Sequence, residues 1–462
     1  MKNTNEDLGL LREKVRDITM QIMCNVQLRT EVAKKIGDIK TRLGMDIKDE
    51  KVENELRKMV MVYAKEIGMN SEFALRLLNI LLDESENVQS GHPPLASVHR
   101  PNHLTIFKKA KQLEASGKEI IHMEVGEPDY PPPAKVGVAL SESFKMGQYH
   151  YTDTHGIAEL RDAIALKEGM NASKQQVLVT PGGRFAVFSA ITSLIGAGQE
   201  IIVIEPAWPA YKECADFVGA RTRVLCTTIS DKWLPDTQKL EEMISPNTKM
   251  IVLNYPNNPT GKLLDNKTVD KIVSIAKDHD LYLLSDEVYA DYVFDEFKSI
   301  RSYSYEKSIL VGSFSKRYAM TGFRVGYGIA NKEIISKMAR IQAVGITSVA
   351  QPMQQAALAA LSTDPGENIR VMRSRLEFVC RKLKEMSLRV VEPKGAMYAY
   401  PELPSGEDIP IIENLLVNGV AIAPGSGFGN SYKRFVRISA CQPELVLKKG
   451  LEIMASVLKE HS

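Results

Sequence analysis

Proline is absent from the first 92 residues of this 462-residue chain; all 22 prolines lie from Pro93 onward. Aromatics are scarce in the same stretch, with only Tyr63 and Phe73 before residue 90. Proline breaks helix interiors, so its absence over such a length predicts long helices. No run of about 18 uncharged apolar residues occurs, which argues against a membrane-spanning helix. The opening MKNTNEDLGLLREK lacks the apolar core of a signal peptide. Excess charge of either sign is missing too: 59 Lys and Arg face 57 Asp and Glu, a net charge of +2. That balance argues against a nucleic-acid coat or a strongly acidic protein. The five cysteines (Cys24, Cys214, Cys226, Cys380 and Cys441) are scattered, odd in number and without a CxxC. A reduced, cytoplasmic protein with no structural metal is the simplest expectation.

The length allows about two to four domains, and the proline boundary marks one division. SGHPPLASVHRP (90–101) reads as a linker. Before it, Leu8, Leu11, Val15, Ile18, Ile22, Val26, Val32, Ile36, Ile39 and Leu43 recur mostly every three or four residues. This is the helical period. GMDIKDE interrupts it. A second helix is expected from about Asp49 to Ile67, and a third, with Ser71 as N-cap, to about Gln89. One long and two short helices make a small core, and dimerisation through the long helix would enlarge it.

Polar residues sit inside this pattern at informative spacings. Arg29 and Lys40 are about three turns apart and share a face, whereas Arg12 is rotated away. Asp49 and Glu53, and Ser85 and Gln89, are i,i+4 pairs that project together. Cations and amides converging in a bundle suit a small polyanion; the same spacings also fit a solvated charged face.

Beyond the linker, β-branched runs alternate with helical stretches: VLVT (177–180), EIIVIEP (200–206), KMIVLNYP (249–256), LYLLSDE (281–287), SILVGS (308–313) and RVGYGIA (324–330). Such alternation predicts a mostly parallel sheet covered on both faces. Ligands bind at the carboxyl ends of strands in sheets of this kind. Polar motifs follow the runs. In SFSKRYAMTGFRVGY, Lys316 is either a loop lysine or a Schiff-base nucleophile, with Ser313 nearby and Arg324 available for phosphate. In SDEVYADY, Asp286 is a helix cap or a partner for a ring nitrogen. NYPNNPTG is a polar turn, EPAWPAY carries Trp208, and TPGGRFAVF is a glycine-rich turn whose amides could cradle phosphate. The histidines, His122, His150 and His155 among them, read as structural or surface residues. PGSGFG (424–429) reads as a tight loop.

In combination these segments resemble two known families. Residues 8–90, through LREKV…LR…IGDIK…D…E…S…Q, resemble the all-helical chorismate mutases. By that resemblance Arg29 and Lys40 bind substrate carboxylates and ether oxygen, Gln89 donates to the same oxygen, Asp49 and Glu53 hold the ring hydroxyl, and Ser85 contacts a carboxylate. Arg12 serves the partner subunit's site. The chain departs from the family at Val52, where an arginine normally precedes the glutamate; Lys48 and Lys51 are the nearest replacements. Residues from about 95 to 462 resemble the fold-type I pyridoxal-phosphate aminotransferases of the aspartate/aromatic branch. Also carrying that likeness are GEPDYPPP, YTDTHGIAELR, PGSGFG and FVRISA. The resemblance implies that Lys316 bonds covalently to pyridoxal 5'-phosphate and moves the proton, that Asp286 keeps the ring nitrogen protonated, and that Trp208 stacks on the ring. Tyr289 and Asn258 hold the phenolic oxygen. Gly183, Arg184, Ser313 and Arg324 bind the phosphate with Tyr151 of a neighbouring subunit. Arg437 clamps the substrate α-carboxylate, helped by Asn258 and Gly126.

The expected architecture is multidomain. An all-α three-helix module (1–90) and a linker (91–101) precede an α/β transferase of fold type I (102–462). The latter divides into a large subdomain (about 140–350) and a small one (about 102–139 plus 351–462). The expected function is bifunctional: chorismate to prephenate, then transamination of prephenate, phenylpyruvate or 4-hydroxyphenylpyruvate with glutamate or aspartate. A homodimer or higher homo-oligomer is expected, with small-molecule substrates and neither nucleic acid nor membrane as partner. Two alternatives stay open: a non-catalytic helical dimerisation or sensing module, and a pyridoxal-phosphate lyase.

Overall fold

The computed structural model describes residues 2–43, 50–89, 103–169 and 174–460, which form two compact units divided between residues 99 and 100. Asp49 and the expected linker lie outside the described residues.

The N-terminal unit is three helices: α1 (Lys2–Leu43), α2 (Glu50–Glu66) and α3 (Ser71–Gln89). At 1.5 Å per residue α1 is about 60 Å long. Helix α2 ends where Gly68 takes φ +69° and the Met69 amide donates to Ala64 O at 2.8 Å, closing the last turn. The cap of α3 corrects the sequence reading. Ser71 is the first helical residue, and Asn70 Oδ1 accepts from the Phe73 amide at 2.9 Å. Asn caps as well as Ser does, and it stands one residue earlier.

Apolar burial in this unit is slight. Ala33, Ala64, Ala74 and Leu78 are its buried apolar side chains among the described residues. The periodic residues Leu11, Val15, Ile18, Ile22, Val32, Ile36 and Ile39 are exposed, from 43% at Ile36 to 65% at Val15. The helices instead approach closely through Gly37. A Cβ there would lie 2.6 Å from Gln89 Cα, so only glycine admits this contact.

The larger unit is built on a seven-stranded sheet: β1 (Val177–Thr180), β2 (Glu200–Glu205), β3 (Arg221–Cys226), β4 (Thr248–Asn254), β5 (Tyr282–Asp286), β6 (Ser308–Ser313) and β7 (Gly326–Ile329). Their order is β1-β7-β6-β5-β4-β2-β3, and only β7 runs against the rest. Alternate residues bury on opposite faces. Ile202, Ile204, Ile251, Leu253 and Leu283 enter one core, and Ile201, Val203, Met250, Val252 and Leu284 the other. This double burial explains the nearly unbroken apolar runs. The edge strand β3 escapes sequence reading because RTRVLC is half polar, which an edge position tolerates. Helices from both sides cover the sheet, and a third core gathers helices His103–Ala115, Gly366–Glu385 and Glu444–Glu460 around short strands.

Helix Gln351–Leu361 differs from the expected subdomain boundary at 350. Its Ala356, Ala357 and Ala360 join a sheet core, because small side chains let it lie close to the helix Ala134–Lys145. Among the described residues no helix is long and apolar enough to cross a membrane.

Gly37→Ala should lower the unfolding free energy of the N-terminal unit by about 1–3 kcal/mol through overpacking. A thermal melt of that unit's helical signal, unchanged by the substitution, would refute the close approach.

Candidate active sites

Polar chemistry in the larger unit gathers where the parallel strands end. Asn254 and Asp286, the last residues of β4 and β5, are partners in register. Asp286 is 4% exposed. Its Oδ2 accepts from the Tyr211 hydroxyl at 2.6 Å, and Asn254 Nδ2 donates to its backbone carbonyl at 3.0 Å. Burial pushes the Asp286 carboxyl up to about 6, against the opposing pull of the Tyr211 bond. Asp286 caps no helix; a turn follows it.

Lys316 follows β6 in a short helix, Phe314–Arg317, whose N-cap Ser313 accepts from the Ser315 amide at 3.1 Å. Its Nζ donates to Gly126 O at 2.5 Å. Burial lowers the amine to about 8. The segment that carries Gly126 is fastened at four of the five residues from 126 to 130. Glu127 accepts from Thr321, Asp129 takes Arg375 through both carboxylate oxygens at 2.6 and 3.1 Å, and Tyr130 bonds Tyr292. Tyr292 in turn donates to the Lys316 carbonyl at 2.9 Å.

A cleft of about 360 Å³ unites these groups. One end is cationic. Helix α4 (Gly183–Leu194) begins there after Gly182, which has φ +82°. Arg324, itself left-handed at φ +54°, lies so near that a Cβ on Gly182 would strike its guanidinium. Arg184 lies over the Trp208 ring at 4.4 Å. Unpaired amides of a helix N-terminus with two guanidiniums make a site for an anion such as phosphate. At the other side Arg437, 2% exposed, donates to Asn258 Oδ1 at 2.8 Å and to Glu124 O. Its buried Nε has no hydrogen-bond partner. It stacks on Tyr398 and Phe428 at 4.3 and 5.0 Å, so its orientation is set.

Of the sequence-derived residues, the cleft brings together Gly126, Gly183, Arg184, Trp208, Asn258, Asp286, Tyr289, Ser313, Lys316, Arg324 and Arg437. Tyr289 shares its hydroxyl with Tyr398 at 2.8 Å. Tyr151 is 88% exposed and does not line the cleft. Sequence reading missed Tyr211, Asn254 and Tyr398. Tyr211 stands three residues after Trp208 and Asn254 opens NYPNNPTG, yet only folding reveals that both reach Asp286.

In the N-terminal unit Arg29 donates to Ser85 Oγ and Leu81 O, joining α1 to α3. Its partial burial lowers the guanidinium from its ordinary value. Gln89 lies against Gly37, and its buried Oε1 has no hydrogen-bond partner. Lys40 is half-buried, and Arg12 is exposed. Glu53 lies 3.6 Å from Arg57, a residue the sequence reading passed over. Among the described residues no group of His, Cys, Asp and Glu could hold a metal ion.

Comparison with known proteins agrees with both halves. Residues 118–452 match Aminotransferase class I and II, and residues 11–90 match Chorismate mutase type II. The aspartate aminotransferase of Thermotoga maritima is 35% identical over 339 residues, covering 72% of this chain and 89% of the relative. The aspartate/prephenate aminotransferase of Thermus thermophilus is 32% identical over 368 residues, covering 77% and 95%. The crystal structure of the Thermotoga enzyme superposes with a TM-score of 0.75 at 32% identity, over 79% of this chain and 99% of that one.

Aminotransferases of this class use pyridoxal phosphate, and the cleft fits it. The fit rests on the glycine turn that a Cβ would fill, the two arginines at the anion end, the buried Asp286 and the amine of Lys316. Because Lys316 titrates near 8, its neutral, nucleophilic fraction grows through that pH. Uptake of pyridoxal phosphate by cofactor-free protein, followed by visible absorbance, should therefore accelerate from pH 7 to 9 and then level off. A flat profile, or one still climbing at pH 10, would refute the lowered amine. The chain belongs to the class I and II aminotransferases and carries, ahead of that domain, a chorismate mutase of type II.

Proposed function

We propose that this enzyme converts chorismate to prephenate in its N-terminal unit and transfers an amino group to a 2-oxo acid of the same pathway in its C-terminal unit. The observation that carries the second half is the convergence of Lys316, Asp286 and Arg437 on one cleft. Pyridoxal phosphate, when bound, supplies an electron sink for the charge left when Cα loses a proton. Lys316 would take that proton from Cα and return it at C4′ of the cofactor, on the far side of the amino nitrogen. Asp286, held by Tyr211, keeps the ring nitrogen protonated. Tyr289 and Asn258 hold the phenolic oxygen, and Trp208 covers the ring face. Gly183, Arg184, Ser313 and Arg324 anchor the phosphate, with Tyr151 reaching the partner's site. Arg437 would fix the substrate carboxylate, with Asn258 and the Gly126 backbone, and so orient Cα for proton transfer to Lys316.

Support for an aromatic-pathway acceptor is threefold. A mutase precedes the aminotransferase in one chain, Phe107, Val125 and Tyr398 line the cleft, and a relative is named for prephenate. In the helical unit Arg29, Lys40 and Gln89 restrain the dianion and stabilise its ether oxygen; Glu53 and Asp49 hold the hydroxyl, and Ser85 a carboxylate. The rearrangement needs no nucleophile, only restraint and cationic stabilisation. The exposed apolar stripe of α1 supports a homodimer, with Arg12 reaching across to the partner's site.

Chorismate plus glutamate or aspartate, with the products identified by mass, tests both halves. Prephenate and an aminated aromatic-pathway product are expected. Transamination of aliphatic or dicarboxylic acids alone would overturn the pathway reading. Chorismate that is not consumed but alters the transamination rate would favour a sensing module; pyruvate and ammonia from an amino donor alone would favour a lyase. Lys316→Ala should cost transamination on the order of 10³-fold or more and spare the mutase. Arg29→Ala should cost the mutase on the order of 10²–10³-fold and spare transamination; reversed outcomes would overturn the assignments.

A further inference from the structure

One cation of the helical unit is more deeply placed than its exposed helix surface requires. Arg57 stands one turn after Glu53 on α2, and their side chains are only 13% and 15% exposed. A helical side chain leans toward the N-terminus, so the Arg57 guanidinium reaches back to the turn that carries Glu53. Its Nη1 donates to Asn79 Oδ1 at 2.6 Å, and Asn79 is 6% exposed on α3. Its Nη2 lies 3.6 Å from Glu53 Oε2, too far for a hydrogen bond, and is buried without a hydrogen-bond partner. A guanidinium offers five donors in a rigid fork, and leaving a buried one unmade is costly. Asn79 therefore fixes the fork, and its open nitrogen stays next to Glu53.

Among the described residues, the positions just before Glu53 are turned to the surface. Val52 offers no charge and is 57% exposed, Lys51 is exposed, and Lys48 lies outside the described residues.

We propose that Arg57 is a positioning residue of the mutase site: pinned by Asn79, it keeps its charge beside the Glu53 carboxylate and so holds that carboxylate in place. The inference rests on the mutase reading above, and it adds a residue that the family pattern does not mark. The charge logic is consistent. A dianion beside Glu53 needs a nearby cation to offset the carboxylate's repulsion, and an arginine pinned by a neutral amide retains its full charge for that purpose.

The test uses the full chain and the loss of chorismate absorbance. Arg57→Gln should lower kcat/KM about 10- to 100-fold, with KM for chorismate rising several-fold. Arg57→Lys, which keeps the charge but not the fork, should recover most of the KM and less of kcat. Asn79→Ala should reproduce a weaker form of the Arg57→Gln defect. Helical circular dichroism and its melting midpoint, read on every variant, separate this from misfolding. If the unsubstituted chain leaves chorismate unchanged, the mutase reading fails, and the inference with it. If that chain is active and Arg57→Gln matches it, the inference alone fails. A loss that Arg57→Lys does not relieve, together with a lowered melting midpoint, would make Arg57 merely structural and would also overturn it.

Discussion

Burial of the central sheet on both faces is the constraint from which the larger unit follows. A strand with apolar neighbours above and below has no lateral place for a charged side chain; such a group fits only where the strand stops. Asp286, Asn254, Ser313 and the turn before Gly183 all stand at such stops, and parallel strands put those stops along one edge. The register that pairs Asn254 with Asp286 is thus a property of the core, set by where Leu253 and Ser285 must lie. The cleft inherits its geometry from packing that no substrate ever touches.

The helical unit obeys the opposite condition. Four small or medium side chains are its buried apolar content among the described residues, while the stripe along α1 stays uncovered. Its polar groups are held by contacts between helices, such as Arg29 with Ser85 and Arg57 with Asn79, rather than by strand ends. Long helices that meet at Gly37 bring these groups together without a deep core.

Legibility in the sequence followed these differences. Strands β2, β4, β5 and β6 were readable because double burial writes itself as continuous apolar runs, and the motifs behind them could be located by the rule of strand ends. Strand β3 was not, because an edge strand can be half polar. Lys316 and Arg437 were recognisable through the segments around them. Tyr211 was not, because its partner Asp286 is 75 residues away and nothing local marks the pair. Arg57 was hidden for a similar reason: an i,i+4 pair with Glu53 resembles an ordinary surface ion pair until Asn79 is seen to bury it. The Ser71 cap was misplaced by one residue because Asn and Ser are equivalent at that position by chemistry.

The segment from Gly126 to Tyr130 is tied down at four of its five residues, each to a different element. Inserting or deleting a single residue would break the match between these ties and their partners. The segment's first residue must also be glycine, because a Cβ on Gly126 would strike the Tyr398 hydroxyl. The stretch is therefore a ruler of fixed length between the helix that bears Arg375 and the amine of Lys316.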